Sequence, residues 1–385
     1  MRRELSWLGI GLISAVITCS ASAGPVATKA PNISADDASE PQQVHSVDPD
    51  PICVARDGES WVACRYSIQD QKWDTWPSPP AAMPDAKPLN ACGPQAAVVL
   101  DPSQKYAGWI FDLPNRTWKA VPASPVLGPS ATQDPITVTF VHNRLIVWGM
   151  TKDAPHGAVL DTSKMEWSAM PEAPVALRYR CPNAVIGDKL IVWGGYPNFL
   201  QDGAVFDTKQ NKWSKMADSP VQFRYGMAWG VWRNKFVIFG GQGPRRQPIP
   251  DGAIYDPVTD KWEGIAPAPF DVGVQSAFAV HGDQMFVWSG LRRVRDAGGV
   301  YNFETQKWDE LPAAPISGRT LGFAQSVADQ IIVWGGWDAG WGRFGMPQGP
   351  GTFCRDGASY DLKTGQWQRI PDLPVDIPSQ LHPGW

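Results

Sequence analysis

Apolar runs that end in small residues recur along the chain: Leu145-Ile-Val-Trp-Gly149, Leu190-Ile-Val-Trp-Gly-Gly195, Phe236-Val-Ile-Phe-Gly-Gly241, Met285-Phe-Val-Trp-Ser-Gly290 and Ile331-Ile-Val-Trp-Gly-Gly336. Continuous runs of this length, rich in Val, Ile and Trp, predict strands buried on both faces. Short polar turns, such as Gly187-Asp188 and Gly282-Asp283, precede them. A second element keeps the same beat. A small residue opens a short apolar stretch, Asp or Asn closes it, and Trp follows six residues later, as in Gly203-Ala-Val-Phe206-Asp207 to Trp213 and Gly252-Ala-Ile-Tyr255-Asp256 to Trp262. With a degenerate copy, Ala63-Cys-Arg-Tyr66-Ser67, leading to Trp73, the series runs through Trp73, Trp118, Trp167, Trp213, Trp262, Trp308 and Trp367, at spacings of 45, 49, 46, 49, 46 and 59 residues. Pro-containing links such as Pro171-Glu-Ala-Pro174 and Pro312-Ala-Ala-Pro315 follow the terminal Trp.

Each period therefore holds four strands, and a four-stranded antiparallel sheet repeated radially is a β-propeller blade. The double Gly with a spaced aromatic and Trp resembles the kelch repeat over residues 77–367. The unit at 77–118 lacks the double Gly, and Gly149-Met150 and Ser289-Gly290 are partial copies. The expectation is an all-β propeller of seven blades, the first built partly from residues 51–73. Pro371 to Trp385 would return as that blade's inner strand. Six blades with a capping hairpin is the alternative. Most conspicuous residues have structural assignments: the Trp fills space between sheets, the Gly pair permits unusual backbone angles, and the repeat Asp caps a turn.

Composition narrows the function. The chain has 385 residues, 43% hydrophobic and 19% charged, with 20 Trp, 37 Gly and 37 Pro. A net charge of −4 argues against a strongly basic nucleic-acid binder. Residues 1–23 read as a signal peptide: Arg2 and Arg3, an apolar stretch from Trp7 to Ile17, and Ala21-Ser22-Ala23 before Gly24. An uncleaved anchor, or a lipoprotein attached through Cys19, are the alternatives. Residues 24–50 read as a disordered tether, and 51–385 as the propeller. No later stretch is apolar enough for stable membrane insertion, and a monomer is expected. Among the remaining cysteines, Cys53 and Cys64 flank the turn signal Arg56-Asp57-Gly58-Glu59, so a hairpin pivoting between Gly58 and Glu59 would set them opposite one another as a disulfide.

The links into the inner strands and the loops after the Gly pairs share one propeller face. These loops are long and differ from blade to blade, while the opposite face carries short, repetitive turns. Function is expected on the variable face. Arg178, Arg224 and Arg319 each stand four residues after the last Pro of their link, and Tyr179 and Tyr225 follow the first two. The loops add Arg245, Arg246, Arg292, Arg293, Arg295, Arg343 and Arg355. Arg forks suit carboxylate, sulfate or phosphate, and aromatic rings suit sugars. Arg178, Tyr179, Arg224, Tyr225 and Arg319 are therefore the candidate ligand contacts. As members of the repeat, the same Arg could instead pair with backbone or Asp. The insertion Trp337 to Asp356, with Trp341, Phe344 and Phe353, is either a lid or a packed surface loop.

Catalytic signatures are sparse. His45, His142, His156, His281 and His382 show no metal-ligand spacing, and no nucleophile elbow or phosphate loop is present. No metal or cofactor is expected. Acidic candidates for acid–base work are Asp134, Asp202, Asp251, Asp271, Asp296 and Asp338. Two readings follow. One is an exported binding module for a protein or carbohydrate ligand, the carbohydrate an anionic glycan, held on the Arg-rich face. The other, by analogy with the kelch-type epimerase of N-acetylneuraminate, is a periplasmic sugar epimerase or mutarotase acting on a carboxylated sugar.

Overall fold

The computed structural model describes residues 52–374, apart from 58–59, 77, 81–88, 94, 130–136, 150–155, 179–180, 197–199, 244–246, 271, 273–274, 290–297, 321 and 339–351. Among the described residues there is no α-helix, only a short 3-10 turn at Pro102–Gln104. Seven antiparallel meanders succeed one another. Blade 1 is Ile52–Asp57, Ser60–Ser67 and Lys72–Trp76. Blade 2 is Leu89–Cys92, Ala96–Asp101, Ala107–Asp112 and Thr117–Val121. Blade 3 is Thr137–Val141, Arg144–Trp148, Gly157–Asp161 and Glu166–Ala169. Blade 4 is Asn183–Ile186, Lys189–Trp193, Gly203–Asp207 and Lys212–Lys215. Blade 5 is Ala228–Trp232, Lys235–Phe239, Gly252–Asp256 and Lys261–Ile265. Blade 6 is Ala277–His281, Gln284–Trp288, Gly298–Asn302 and Lys307–Glu310. Blade 7 is Phe323–Val327, Gln330–Trp334, Gly357–Asp361 and Gln366–Ile370. The seven-blade expectation holds. Blade 1 lacks an inner strand among the described residues, and the expectation that the C-terminal piece supplies it falls on 375–385, outside them.

The second strands are buried on both faces, as their composition predicts: Leu190, Ile191, Val192 and Trp193 all have 1% exposure or less. The reason is that the core lies between sheets. Each junction has its own apolar cluster, for example Trp148 with Phe206 and Trp213 between blades 3 and 4, and Phe239 with Tyr301 between blades 5 and 6. The cluster of Tyr66, Ile332, Trp334 and Ile370 joins blade 7 to blade 1 and closes the ring.

The outer-strand Trp is more than filler. Its Nε1–H donates to a carbonyl at the end of the preceding blade: Trp167 to Pro122, Trp213 to Pro171, Trp262 to Ala217, Trp308 to Ala266 and Trp367 to Pro312, all at 2.9–3.2 Å. Trp73 makes the same bond to Pro371 at 3.1 Å, across the seam of the ring. The acceptor stands four residues after the preceding blade's own Trp in every case. For Trp118 that position is Pro77, outside the described residues. Behind the bond, the second-strand aromatic of one blade meets the Trp of the next, with ring centroids 5.1 Å apart for Trp148–Trp213 and 6.0 Å for Trp334–Trp73.

The repeat Asp caps the turn into the outer strand. Asp207 Oδ1 accepts from the amides of Lys209 and Gln210, Asp256 Oδ1 from Val258 and Thr259, and Asp361 Oδ1 from Lys363 and Thr364. In blade 7 both residues of the double Gly have positive φ, 64° at Gly335 and 94° at Gly336. A Cβ on Gly336 would stand 2.9 Å from the backbone of Thr320 and Gly322, so the second Gly is required by close approach as well.

Cys53 pairs with Cys64 in the register, as the hairpin arithmetic predicts. The expected bridge is nevertheless not formed: Cys64 is a free thiol with no exposed surface. Register brings two cysteines together, but a buried sulfur can meet an oxidant only before the blade packs.

Two predictions follow from these contacts. Trp73→Phe keeps an aromatic ring at the seam but removes the indole N–H and part of the packed ring, so it should cost at least about 1 kcal/mol in denaturant unfolding. An unchanged midpoint would show the bond contributes nothing. The second concerns acid. The amides of Thr364 and Lys363 hold Asp361 below the ordinary carboxylate range. Asp256, which burial alone would raise, is brought down by the amides of Val258 and Thr259. A carboxylate depressed in the folded state stabilises above its unfolded value of about 3.9 and loses that contribution as pH falls through the folded value. Stability should therefore decline below about pH 4. Asp361→Asn keeps the capping oxygen without the charge and should flatten part of that decline. An equally steep acid limb in the variant would refute the assignment.

Candidate functional site

The two faces differ as the sequence predicts. Two residues join the inner and second strands in blades 3 to 7, as between Ile186 and Lys189. Third and outer strands are joined by equally regular turns, as between Asp207 and Lys212. On the other face the second-to-third connection runs from Trp193 to Gly203 in blade 4, Phe239 to Gly252 in blade 5 and Trp334 to Gly357 in blade 7.

Arg178, Arg224 and Arg319 do not project from this face, and their expected role as ligand contacts is corrected. Their relative exposures are 0%, 1% and 2%. Each guanidinium is taken up within its own blade. Arg178 donates through Nε to the Ala176 carbonyl and through Nη1 to the Gly194 and Asp202 carbonyls, at 2.9–3.1 Å, with Nη2 2.9 Å from Asp202 Oδ1. Arg224 reaches the Gln222, Gly240 and Asp251 carbonyls and Asp251 Oδ1, the last at 2.7 Å. Arg319 reaches the Ser317, Gly335 and Asp356 carbonyls, and Asp356 Oδ1 at 2.7 Å.

The physical cause is the double Gly. Its turn leaves the first Gly carbonyl without a ladder partner, and a buried carbonyl needs a donor. The Arg sixteen residues earlier supplies it, and the Asp before the third strand balances the charge. Burial pulls the Arg224 guanidinium below its ordinary value while Asp251 pulls it back up, and Arg stays charged throughout. All three parts occur together in blades 4, 5 and 7. In blade 6 Ser289 replaces the first Gly, and its Oγ donates to the Arg319 carbonyl at 3.0 Å and accepts from the Arg319 amide at 2.7 Å. The sequence signal for this unit was present: an acidic residue precedes Gly203, Gly252 and Gly357, and only in those blades does the Arg stand sixteen residues before a Gly pair.

Tyr179 lies outside the described residues. Tyr225 is half-buried and belongs to an aromatic group that sequence reasoning missed. Phe223 and Tyr225, at the start of blade 5, meet Tyr196, which directly follows the Gly pair of blade 4. The three ring centroids are 6.3 Å from one another, with interplanar angles of 82°, 57° and 31°. Phe223 is buried and the two tyrosines are part-exposed. Tyr225 pairs through its backbone with Gln242 in both directions, at 3.0 and 2.9 Å. The Gln275 amide donates to the Gly226 carbonyl at 2.7 Å, and Thr320 Oγ1 donates to Gln275 Oε1 at 2.8 Å.

The other candidates scatter. Of the loop Arg, Arg355 is described. It is exposed, and its Nε donates to the Leu373 carbonyl. Asp202 and Asp251 belong to the Arg pairs. Asp338 is half-buried in a small ribbon, Trp337–Asp338 against Thr352–Phe353, at the base of the long insertion. The lid expectation concerns 339–351, and Asp134, Asp271 and Asp296 likewise lie outside the described residues. His142 and His281 sit on the short-turn face beside Asp188 and Asp329, at 3.2 and 3.9 Å. Among the described residues no three His, Cys, Asp or Glu converge as metal ligands. Burial pushes the Cys181 and Cys354 thiols up, away from thiolate reactivity.

Arg224→Ala removes four donor contacts and leaves Asp251 without its partner. It should cost about 3 kcal/mol, the lower end for breaking a buried pair because Asp251 is partly solvated. Arg355→Ala, on the exposed loop, should stay within about 0.5 kcal/mol. Chemical denaturation of the two variants side by side checks this. Equal stabilities would return Arg224 to the list of ligand contacts.

No curated protein matches this sequence. Among solved structures, one described as "Structure of YjhT" is similar, with a TM-score of 0.51 and 18% identity over 65% of this chain and 86% of that one. At that identity the likeness is one of fold. The KLHDC2/KLHL20/DRC7 Kelch-repeats domain matches residues 135–336, more than half of the chain. With seven sheets, paired glycines and a bonded Trp at each described junction, the chain belongs to the kelch-repeat family.

Proposed function

We propose that the protein is an exported binding module that holds a protein or an anionic glycan on the face carrying the long loops. The observation behind this reading is the contrast between the faces: one set of uniform two-residue turns, and one set of unequal loops anchored on a rigid ring. Recognition is commonly built on such loops. Kelch propellers serve generally as binding scaffolds, which agrees with it. With Arg178, Arg224 and Arg319 neutralised by Asp, any preference for anions rests on the arginines that the sequence carries in the loops after the Gly pairs. The epimerase reading drew on free guanidinium groups at the mouth, and those three are engaged elsewhere. Binding is therefore the reading we advance.

Export is tested directly: the mature chain should begin at Gly24, and a lipid found on Cys19 by mass spectrometry would replace a soluble product with a tethered one. For the face itself, Arg245→Ala/Arg246→Ala with Arg292→Ala/Arg293→Ala should weaken retention on sulfated and carboxylated polysaccharides. The loss should shrink in added salt, because exposed pairs are screened over about 10 Å at 0.1 M. Lys212→Glu, on an outer strand of the ring, is the control and should leave retention unchanged. If the control matters as much as the loop variants, binding is not located on the loop face.

A further inference from the structure

Among the described residues, blade 1 has an unpaired strand edge. Its strands pair in the order Ile52–Asp57, Ser60–Ser67, Lys72–Trp76, so Ile52–Asp57 has a described neighbour on one side only. Alternate residues along it turn their N–H and C=O groups away from Ser60–Ser67. A row of such groups is costly unless something covers it, and it is a template for one more strand. In blades 2 to 7 this place beside the second strand belongs to the inner strand.

Register shows which residues reach that edge. In blade 4 Trp213 faces Phe206, Phe206 faces Leu190, and Leu190 faces Val185, five positions before it. In blade 7 the same path runs from Trp367 through Tyr360 and Ile331 to Ser326, again five before. The offset repeats for Ala97 with Cys92, Leu145 with Phe140, Phe236 with Val231 and Met285 with Val280. In blade 1 Trp73 faces Tyr66, and extending the register of Ile52 with Arg65 by one residue sets Pro51 opposite Tyr66. Five positions before Pro51 is Ser46. Inner strands in blades 3, 5, 6 and 7 begin three residues before this partner and end one after it. Blade 1 then takes residues 43–47, with Asp48-Pro49 as the two-residue turn.

These residues lie outside the described ones, and their sequence fits the place. Gln43-Val-His-Ser-Val47 ends on the same Ser-Val as the inner strand Phe323-Ala-Gln-Ser-Val327. The closing position is apolar and buried in Val141, Ile186 and Val327, as Val47 requires. Asp-Pro suits a turn, and Pro51 stands at a strand start, where proline is tolerated. The rival is the C-terminal side. Eleven residues separate Ala217 from Ala228, Ala266 from Ala277 and Pro312 from Phe323, and the same length from Pro371 reaches His382-Pro383-Gly384. Adjacent Pro and Gly are poor strand formers. We infer that residues 43–47 dock on the free edge of Ile52–Asp57 as the inner strand of blade 1. Every blade is then one continuous stretch, and the ring closes through the Trp73 seam without a strand exchanged between its ends. Inner strands run from the loop face to the short-turn face, so residues 24–42 leave the ring on the loop face. An exported chain held by that segment presents its variable loops toward the point of attachment.

The test is disulfide trapping in the full mature chain. The register sets Val44 opposite Cys53 as a non-hydrogen-bonded pair, with Cα atoms about 4.5 Å apart, inside the range a disulfide accepts. In a Cys64→Ser background, which removes the competing thiol, Val44→Cys should join Cys53 under mild oxidation. Mass spectrometry reads this as the loss of both thiols within one tryptic peptide. His45→Cys alternates to the other face of the strand and should oxidise at least about tenfold more slowly, lacking that geometry. Equal rates for the two overturn the assignment, and so does capture of Cys53 by Pro383→Cys, which would give the edge to the C-terminal side. A second measurement does not depend on sulfur. His45 faces Ile52 as a hydrogen-bonded pair, so His45→Pro removes a ladder donor, while the Ser46 amide points away from the second strand. His45→Pro should lower the urea midpoint and Ser46→Pro should leave it near the parent. Matching midpoints for these two variants overturn the assignment. None of these readouts depends on what the loop face binds.

Discussion

At each described blade junction an outer-strand indole does two things at once. Its ring fills the wedge beside the second strand of the preceding blade, against an aromatic of that strand at five junctions, and its N–H finds a carbonyl at that blade's end. A sheet in this ring is too narrow to bury its own faces, so it is stable only against neighbours. The indole supplies apolar area where the sheets splay apart and fixes their spacing by a directional bond. The burial of the second strand on both faces, and the exposure of most of the outer strand around its Trp, follow from that contact.

The arginines show how a residue placed at a functional address can serve the scaffold. A double glycine lets the chain turn sharply after the second strand, and the sharp turn strands a carbonyl. Arg178, Arg224 and Arg319 answer the stranded carbonyl, and the Asp that precedes the third strand answers the Arg. The long loops of blades 4, 5 and 7 thus spring from braced positions.

Much of the fold was legible because the repeat writes each strand several times over. The second strands, the capping Asp and the seven-fold count could all be read from spacing. The site was less legible, for two physical reasons. A periodic signal reports what blades share and is silent where they differ: Tyr196 and Phe223 occur once each in their positions. The pattern also gives a residue's address without its direction. Arg224 and Tyr225 are neighbours in sequence, yet one turns into its own blade and the other toward the preceding one. Cys64 makes the same point, since its register was predictable and its oxidation state was not.

The bond from Trp73 to Pro371 has the geometry of its counterparts, yet it spans 298 residues where the Trp213 bond spans 42. Closing the longer loop from an unstructured chain would cost about 1.7 kcal/mol more in entropy. That difference vanishes once the intervening junctions have formed, because each one carries the two edges closer. The seam is thus favoured only as the last step of assembly. Until it forms, the flanks of blades 1 and 7 present unburied tryptophan, and this lateral surface is where a nascent or stressed ring would be open to chaperones, to proteases and to other copies of itself.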